Sequence, residues 1–190
     1  MNEPGRPCRV ALIGMMGSGK STMGRIIARQ TSWPYLDNDI LLEQSIGVTA
    51  RNLLATAGEA DLRRAEADAL LFGLRQPEPA IIGAGAGTIL DPECRAALES
   101  NALVVWLRAS PETLAARARG AAHRPWLETD AVRWMRNTLD QRTPLYESVT
   151  DLAVDTEGRT AVESAAEIVD WLDTVSSCAD LLSGSAQEHD

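Results

Sequence analysis

The sequence predicts an α/β protein, a three-layer α/β/α domain built around a five-stranded parallel sheet. Three observations carry that prediction. Short apolar runs at Val10–Ile13, Ala80–Ile82, Leu103–Leu107 and Leu152–Val154, with Trp33–Leu36 as a further extended segment, alternate with stretches of helical periodicity. The runs are continuous in Val, Ile and Leu rather than alternating with polar residues, as expected of strands covered by helices on both faces. The first run feeds straight into Gly14-Met15-Met16-Gly17-Ser18-Gly19-Lys20-Ser21-Thr22, and a helical pattern follows at once. That segment fits G-x-x-x-x-G-K-[ST] in the strand–loop–helix setting that the motif requires.

Taken in order, residues 1–8 are expected to be a loose leader, residues 9–175 a single domain and residues 176–190 a disordered tail. Val10–Ile13 is a buried strand, and the helix after the glycine-rich loop runs to about Gln30. Trp33–Leu36 ends in Asp37-Asn38-Asp39. Asp39 is a candidate N-cap for a short helix carrying Ile40, Leu41, Leu42 and Ile46, which Gly47 stops. Val48-Thr49 opens another helical stretch, closed by Ala57-Gly58. Glu59 to about Arg75 is a longer helix with Leu62, Ala65, Ala69, Leu70 and Phe72 on one side. Pro77 and Pro79 break the chain before Ala80–Ile82, which leads into Gly83-Ala84-Gly85-Ala86-Gly87. A helix over Pro92–Glu99 begins with a proline, which a first turn tolerates. Leu103–Leu107 is the strongest strand signal. Ser110-Pro111-Glu112 then supplies an N-cap, a first-turn proline and an acid matched to the helix dipole. That helix ends near Arg119-Gly120. A loop containing His123-Arg124-Pro125 precedes a helix over Asp130–Tyr146, interrupted near Pro144. Leu152–Val154 and Ala161–Val175 complete the pattern as strand and helix.

Bulk properties narrow the function classes. The 190 residues suffice for one α/β domain with a proper core. The net charge of −9 argues against nucleic acid or an anionic membrane as a partner, because no basic surplus exists to displace counterions. No apolar run approaches the ~18–20 residues of a membrane span. Cys8, Cys94 and Cys178 are odd in number, widely spaced and without a C-x-x-C, and read as reduced thiols of a cytoplasmic protein. His123 and His189 are the only histidines, too few for a histidine metal site.

The chemistry-bearing residues start with the glycine-rich loop. Backbone N–H groups there can curl around phosphate oxygens, with the helix N-terminus adding its dipole. Lys20 reaches the outer phosphates, and the Ser21 hydroxyl suits Mg²⁺. Lys20 is the only lysine in the chain; every other basic residue is arginine. A compact ammonium fits a tight phosphate cradle where a planar guanidinium does not. Asp37 and Asp39 follow a strand end, the edge of a parallel sheet that faces ligands. They can serve metal and hydroxyl chemistry, or simply begin a helix. Arg63 can clamp a carboxylate, or pair with Glu66 on a wet helix face. Gly83–Gly87 can bring backbone N–H groups close to a ligand, or form only a sharp turn. Arg117, Arg119 and Arg124 flank a loop of the kind that tips an arginine toward a migrating phosphoryl group, or else they confer solubility. Arg142 is a second anion contact or an ordinary helix C-terminal charge.

In combination these elements resemble the shikimate kinase family over roughly Val10–Leu172. The landmarks stand in order: Gly14–Thr22, Asp37-Asn38-Asp39, Gly58-Glu59-x-x-Leu62-Arg63-x-x-Glu66, a Gly-rich turn, Arg124-Pro125-Trp126-Leu127, Arg142-x-Pro144-Leu145-Tyr146 and Val154-Asp155-Thr156. The resemblance implies a P-loop, nucleoside-monophosphate-kinase-like fold with a lid loop, acting as a monomer on ATP and shikimate with Mg²⁺. It implies that Gly17, Ser18, Gly19, Lys20, Ser21 and Thr22 hold the ATP phosphates, with Ser21 and Asp37 on the metal side. Asp39 would bind substrate hydroxyls and act as base. Arg63 and Arg142 would grip the carboxylate beside Gly85, Ala86 and Gly87. Arg124 would be the lid arginine, Arg117 would stack on adenine and Arg159 would lie near the adenine loop. Departures from the family pattern are Leu62, Ala86, Trp126 and Ala161. The implied activity is phosphorylation of the shikimate 3-hydroxyl. The alternatives are a related kinase acting on gluconate or a cyclitol, and a nucleotide-binding regulator without catalysis.

Overall fold

The computed structural model describes residues 7–118, 127–175, 178, 179, 181 and 182. Five strands, β1 (Arg9–Ile13), β2 (Tyr35–Asp37), β3 (Ala80–Gly83), β4 (Leu103–Arg108) and β5 (Leu152–Asp155), form one sheet in the order β2-β3-β1-β4-β5. Every neighbouring pair is parallel. All strand C-termini therefore open on one edge. β1 lies in the middle, with the chain passing to one side of it for β2 and β3 and to the other for β4 and β5. That reversal beside β1 makes the crevice in which open α/β sheets bind ligands.

Among the described residues there are eight α-helices: α1 (Lys20–Thr31), α2 (Asn38–Ile46), α3 (Ala50–Ala57), α4 (Glu59–Gly73), α5 (Pro92–Asn101), α6 (Pro111–Ala118), α7 (Leu127–Val149) and α8 (Ala161–Asp173). β1 is buried on both faces. Val10 and Leu12 face one apolar cluster with Met23 and Ile27 of α1 and Ile168 and Leu172 of α8. Ala11 and Ile13 face the other, with Leu70 of α4, Leu98 of α5, Leu114 of α6 and Tyr146 of α7. A third, smaller cluster joins Leu41 and Leu42 of α2 to Leu62 and Ala69 of α4. Thr160 and Glu163 form a reciprocal capping box that starts α8.

Several local expectations are corrected. The N-cap of α2 is Asp37, whose side chain accepts the Asp39 N–H, so Asp39 lies inside the first turn. Phe72 is 54% exposed: it is two residues from buried Leu70, about 200° around the helix, on the opposite face. α7 continues through Pro144 instead of breaking there, because Tyr146 and Val149 beyond it are buried in the core. Non-helical dihedrals occur instead at Asp130, whose carboxylate caps the Arg133 N–H at 3.0 Å.

The reading of all three cysteines as thiols also fails. Cys8 and Cys178 are fully buried and joined by a disulfide, with Cα atoms 5.3 Å apart across a sequence separation of 170. Cys8 directly precedes β1 and Cys178 follows α8, and both belong to the cluster between β1 and α8. The fold thus closes a distance that sequence spacing made look prohibitive. The leader is therefore tied down at Cys8, and the tail at Cys178. Cys94 remains a buried free thiol.

Candidate active site

The loop between β1 and α1 folds around its own lysine. Lys20 Nζ donates to the carbonyls of Gly14 and Met15 at 2.9 and 3.0 Å. Gly14 has φ +139°, and a Cβ there would stand 2.6 Å from the Leu107 carbonyl, so the turn beside β4 admits no side chain. α1 starts without a side-chain cap and without an acid in its first turn. Its N-terminal donors and dipole are thus not offset by a carboxylate within that turn, which suits an anion. Ser21 and Thr22 are exposed on that first turn, and Ser18 is buried with its hydroxyl unpartnered among the described residues.

Beside this loop, at the end of β2, both Asp37 oxygens are held. Oδ1 accepts the Asp39 N–H at 3.1 Å, and Oδ2 accepts the Tyr35 hydroxyl at 3.0 Å. Asp39 is exposed one helical position beyond buried Asn38. The Asn38 amide donates to the Glu66 carbonyl at 3.2 Å and thereby fastens α2 to α4.

The turn after β3 is the hub of the other half. Arg142, only 8% exposed, donates from Nη1 to the Ala86 carbonyl at 2.7 Å. The Asn38 amide nitrogen lies 2.9 Å from where a Gly85 Cβ would be, and a Cβ on Gly87 would collide with Arg63 Nη1. Arg63 pairs with Glu66 at 2.7 Å and with Glu59 at 2.9 Å. Burial works against the Arg63 charge, but Glu66 and Glu59 outweigh it and hold the guanidinium more firmly protonated than usual. The pairing with Glu66 is thus real, yet it is not a wet-face contact, since Glu66 is buried behind Gly87. Neighbouring Arg64 does make a surface pair, with Asp61 at 3.1 Å. Tyr146 stacks on Trp106 at 5.4 Å, and burial pushes its phenol up to about 12. It backs the turn as a neutral wall beside Arg142.

On the opposite flank, Thr156 receives two donors of Arg117, at 2.9 Å on Oγ1 and 2.8 Å on its carbonyl. This bidentate hold fixes the guanidinium plane while Arg117 stays exposed. Arg159 sits in the same β5–α8 connection but turns onto Glu167 of α8. Arg119, His123, Arg124, Pro125 and Trp126, the lid segment expected from the sequence, lie outside the described residues.

Lys20, Asp37, Asp39, Arg63, Gly85–Gly87 and Arg142 therefore open on one sheet edge from elements scattered along the chain. The family model for shikimate kinase matches residues 16–173. The chain belongs to the shikimate kinase family. It is accordingly a kinase with ATP as co-substrate. A shikimate kinase of Moorella thermoacetica is 34% identical over 173 residues, covering 89% of this chain and 99% of that one. The solved shikimate kinase from Acinetobacter baumannii in complex with shikimate superposes with a TM-score of 0.82 at 27% identity, covering 88% of this chain and 94% of that one. Deoxyadenosine kinase from M. mycoides, at 18% identity and a TM-score of 0.59, shares the fold alone, over 88% of this chain and 99% of that one.

Sequence reasoning gave no role to Tyr35, Asn38, Tyr146 or Thr156, and saw Glu66 only as a surface partner of Arg63. Asn38, Tyr146 and Thr156 sat inside the motifs above, but the facts that mark them, burial and partners on other elements, have no counterpart in linear spacing. Tyr35 lay two residues before Asp37, a position that a strand places on the same face. That periodicity was the one available signal.

Proposed function

We infer that this chain transfers the γ-phosphoryl group of ATP to the 3-hydroxyl of shikimate, yielding shikimate 3-phosphate and ADP. The observation that carries the reading is the placement of two guanidiniums, Arg63 and Arg142, at consecutive residues of the Gly85–Gly87 turn. A carboxylate-bearing acceptor matches them. A neutral cyclitol would leave the buried Arg142 charge without a counter-ion, at a cost of several kcal/mol.

In this reading Gly17–Thr22 cradle the phosphates and Lys20 follows charge on the γ-phosphoryl group. Arg63 and Arg142 hold the carboxylate and so aim the acceptor hydroxyl in line with phosphorus. Asp39 takes the hydroxyl proton as the oxygen attacks, and the bond from phosphorus to the β,γ-bridging oxygen breaks. Positioning and electrostatics supply the catalysis, since the protein forms no covalent bond itself. Arg117, fixed by Thr156, offers its face to adenine, with Arg159 in the adjoining connection. Arg124 neutralises charge from the lid.

The donor set for a metal is the Ser21 hydroxyl and the Asp37 carboxylate, hard oxygens beside the phosphate cradle. Among the described residues no group of three or more His, Cys, Asp or Glu gathers to make an all-protein cage. One carboxylate and one hydroxyl, completed by phosphates and water, suit Mg²⁺. When bound, Mg²⁺ would neutralise charge on the phosphate oxygens.

We further propose that residues 9–175, with Cys8 and Cys178 joined across their two ends, act as one monomeric catalytic unit without nucleic-acid or membrane partners. Among the described residues no helix is long and apolar enough to cross a membrane. A coupled assay of ADP release with shikimate, gluconate and a neutral cyclitol tests the function. Turnover that depends on shikimate is expected. Equal turnover without it, or preference for gluconate, would overturn the reading.

A further inference from the structure

Tyr35 occupies a slot built for it. Its ring lies against Gly24 on α1 and Gly83 at the end of β3, and a Cβ on either glycine would collide with the ring or its hydroxyl. Gly24 lies one turn beyond Ser21 on α1, and Gly83 pairs with Asp37 across β2–β3. Two missing side chains thus let an edge-strand tyrosine pass beneath the phosphate cradle. Its hydroxyl ends at Asp37 and donates to Asp37 Oδ2 at 3.0 Å.

A carboxylate that ligates a cation must be held in a fixed direction, and the Tyr35 hydrogen is committed to Asp37. We propose that Tyr35 is a positioning residue of the metal side of the site, whose hydroxyl holds the Asp37 carboxylate. The proposal rests on the assignment of Ser21 and Asp37 to Mg²⁺. It adds a residue outside the roles given above to the phosphate cradle and the acceptor half. Asp37 Oδ1 is already occupied by the Asp39 N–H, so Tyr35 is what immobilises the other oxygen. Partners of this kind change metal affinity by about 10–100-fold when removed.

The test is calorimetric titration of the full-length protein with ADP across a series of Mg²⁺ concentrations, for wild type, Tyr35→Phe, Ser21→Ala and Asp37→Asn. Tyr35→Phe keeps the ring in its slot and removes only the hydroxyl. We expect it to weaken the apparent Mg²⁺ affinity of the ADP complex about 10-fold, with ADP affinity in chelator unchanged within about twofold. If Ser21→Ala and Asp37→Asn weaken Mg²⁺ but Tyr35→Phe does not, the positioning role is wrong and the metal assignment stands. If neither Ser21→Ala nor Asp37→Asn alters Mg²⁺ dependence, the metal assignment itself falls and the positioning role with it. Loss of metal-free ADP affinity in Tyr35→Phe would mean that the residue only packs, and would also overturn the proposal.

Discussion

The two halves of the proposed site are built by opposite means. The ATP half is local: one stretch of consecutive residues, from the β1–α1 loop into the first turn of α1, carries the glycines, Lys20 and Ser21, and Lys20 is held by carbonyls five and six positions away. The acceptor half is assembled from a distance. Arg142 on α7 reaches the Ala86 carbonyl across 56 positions, and Asn38 reaches the Glu66 carbonyl across 28. A local site is specified by a pattern of residue types. An assembled one depends on whether β3, α4 and α7 pack in register. The ATP half should therefore fail through loss of a chemical group, and the acceptor half through loss of position as well.

That contrast can be broken by substitution. The largest effect is expected from Lys20→Met, which should lower kcat by about 10³-fold, the loss seen when one preorganised charge-stabilising donor is removed. A coupled ADP-release assay measures it, with the melting temperature near that of wild type. A smaller effect on catalysis, about 10²-fold in kcat/KM for shikimate, is expected from Arg63→Ala, a loss of about 3 kcal/mol consistent with a charged bidentate contact. Unlike Lys20→Met, it should also lower the melting temperature, because it leaves buried Glu66 without its guanidinium partner. Equal kcat/KM in Arg63→Ala and wild type would remove Arg63 from the acceptor half. The smallest effect is expected from Gly87→Ala, about 10-fold in KM for shikimate and under twofold in KM for ATP. Its backbone suits alanine, at φ −90°, ψ −17°, so what is at stake is the collision with the Arg63 guanidinium and with its partner Glu66 Oε2, 2.8 Å away. An unchanged KM for shikimate would show that Arg63 finds an equally good pose, and that the acceptor half tolerates displacement.

Much of the fold was legible because its signals are local. Every expected strand is present within a residue or two, since a doubly covered strand must be apolar throughout. The Ser110 cap was legible too, and its hydroxyl accepts the Thr113 N–H at 3.2 Å. The misreadings share a cause. Pro144 looked like a break because proline removes a helical hydrogen bond, yet burial of Tyr146 and Val149 carries the helix onward. Arg63 beside Glu66 looked like a surface pair because spacing does not report depth. Cys8 and Cys178 looked unrelated because nothing in a sequence shows that β1 and α8 are neighbours.

By itself, the sequence determined the strand–loop–helix around Lys20, the parallel sheet and the residue types needed for phosphoryl transfer. Each of these follows from the chemistry of contiguous residues. Only the tertiary structure decided that Arg63 and Arg142 meet at one turn, that Tyr35 slips between two glycines to reach Asp37, and that the two ends of the described chain are joined by a disulfide. Those features depend on distances between elements far apart in the chain. Such distances come from packing side chains of particular volumes, which no periodicity or motif encodes.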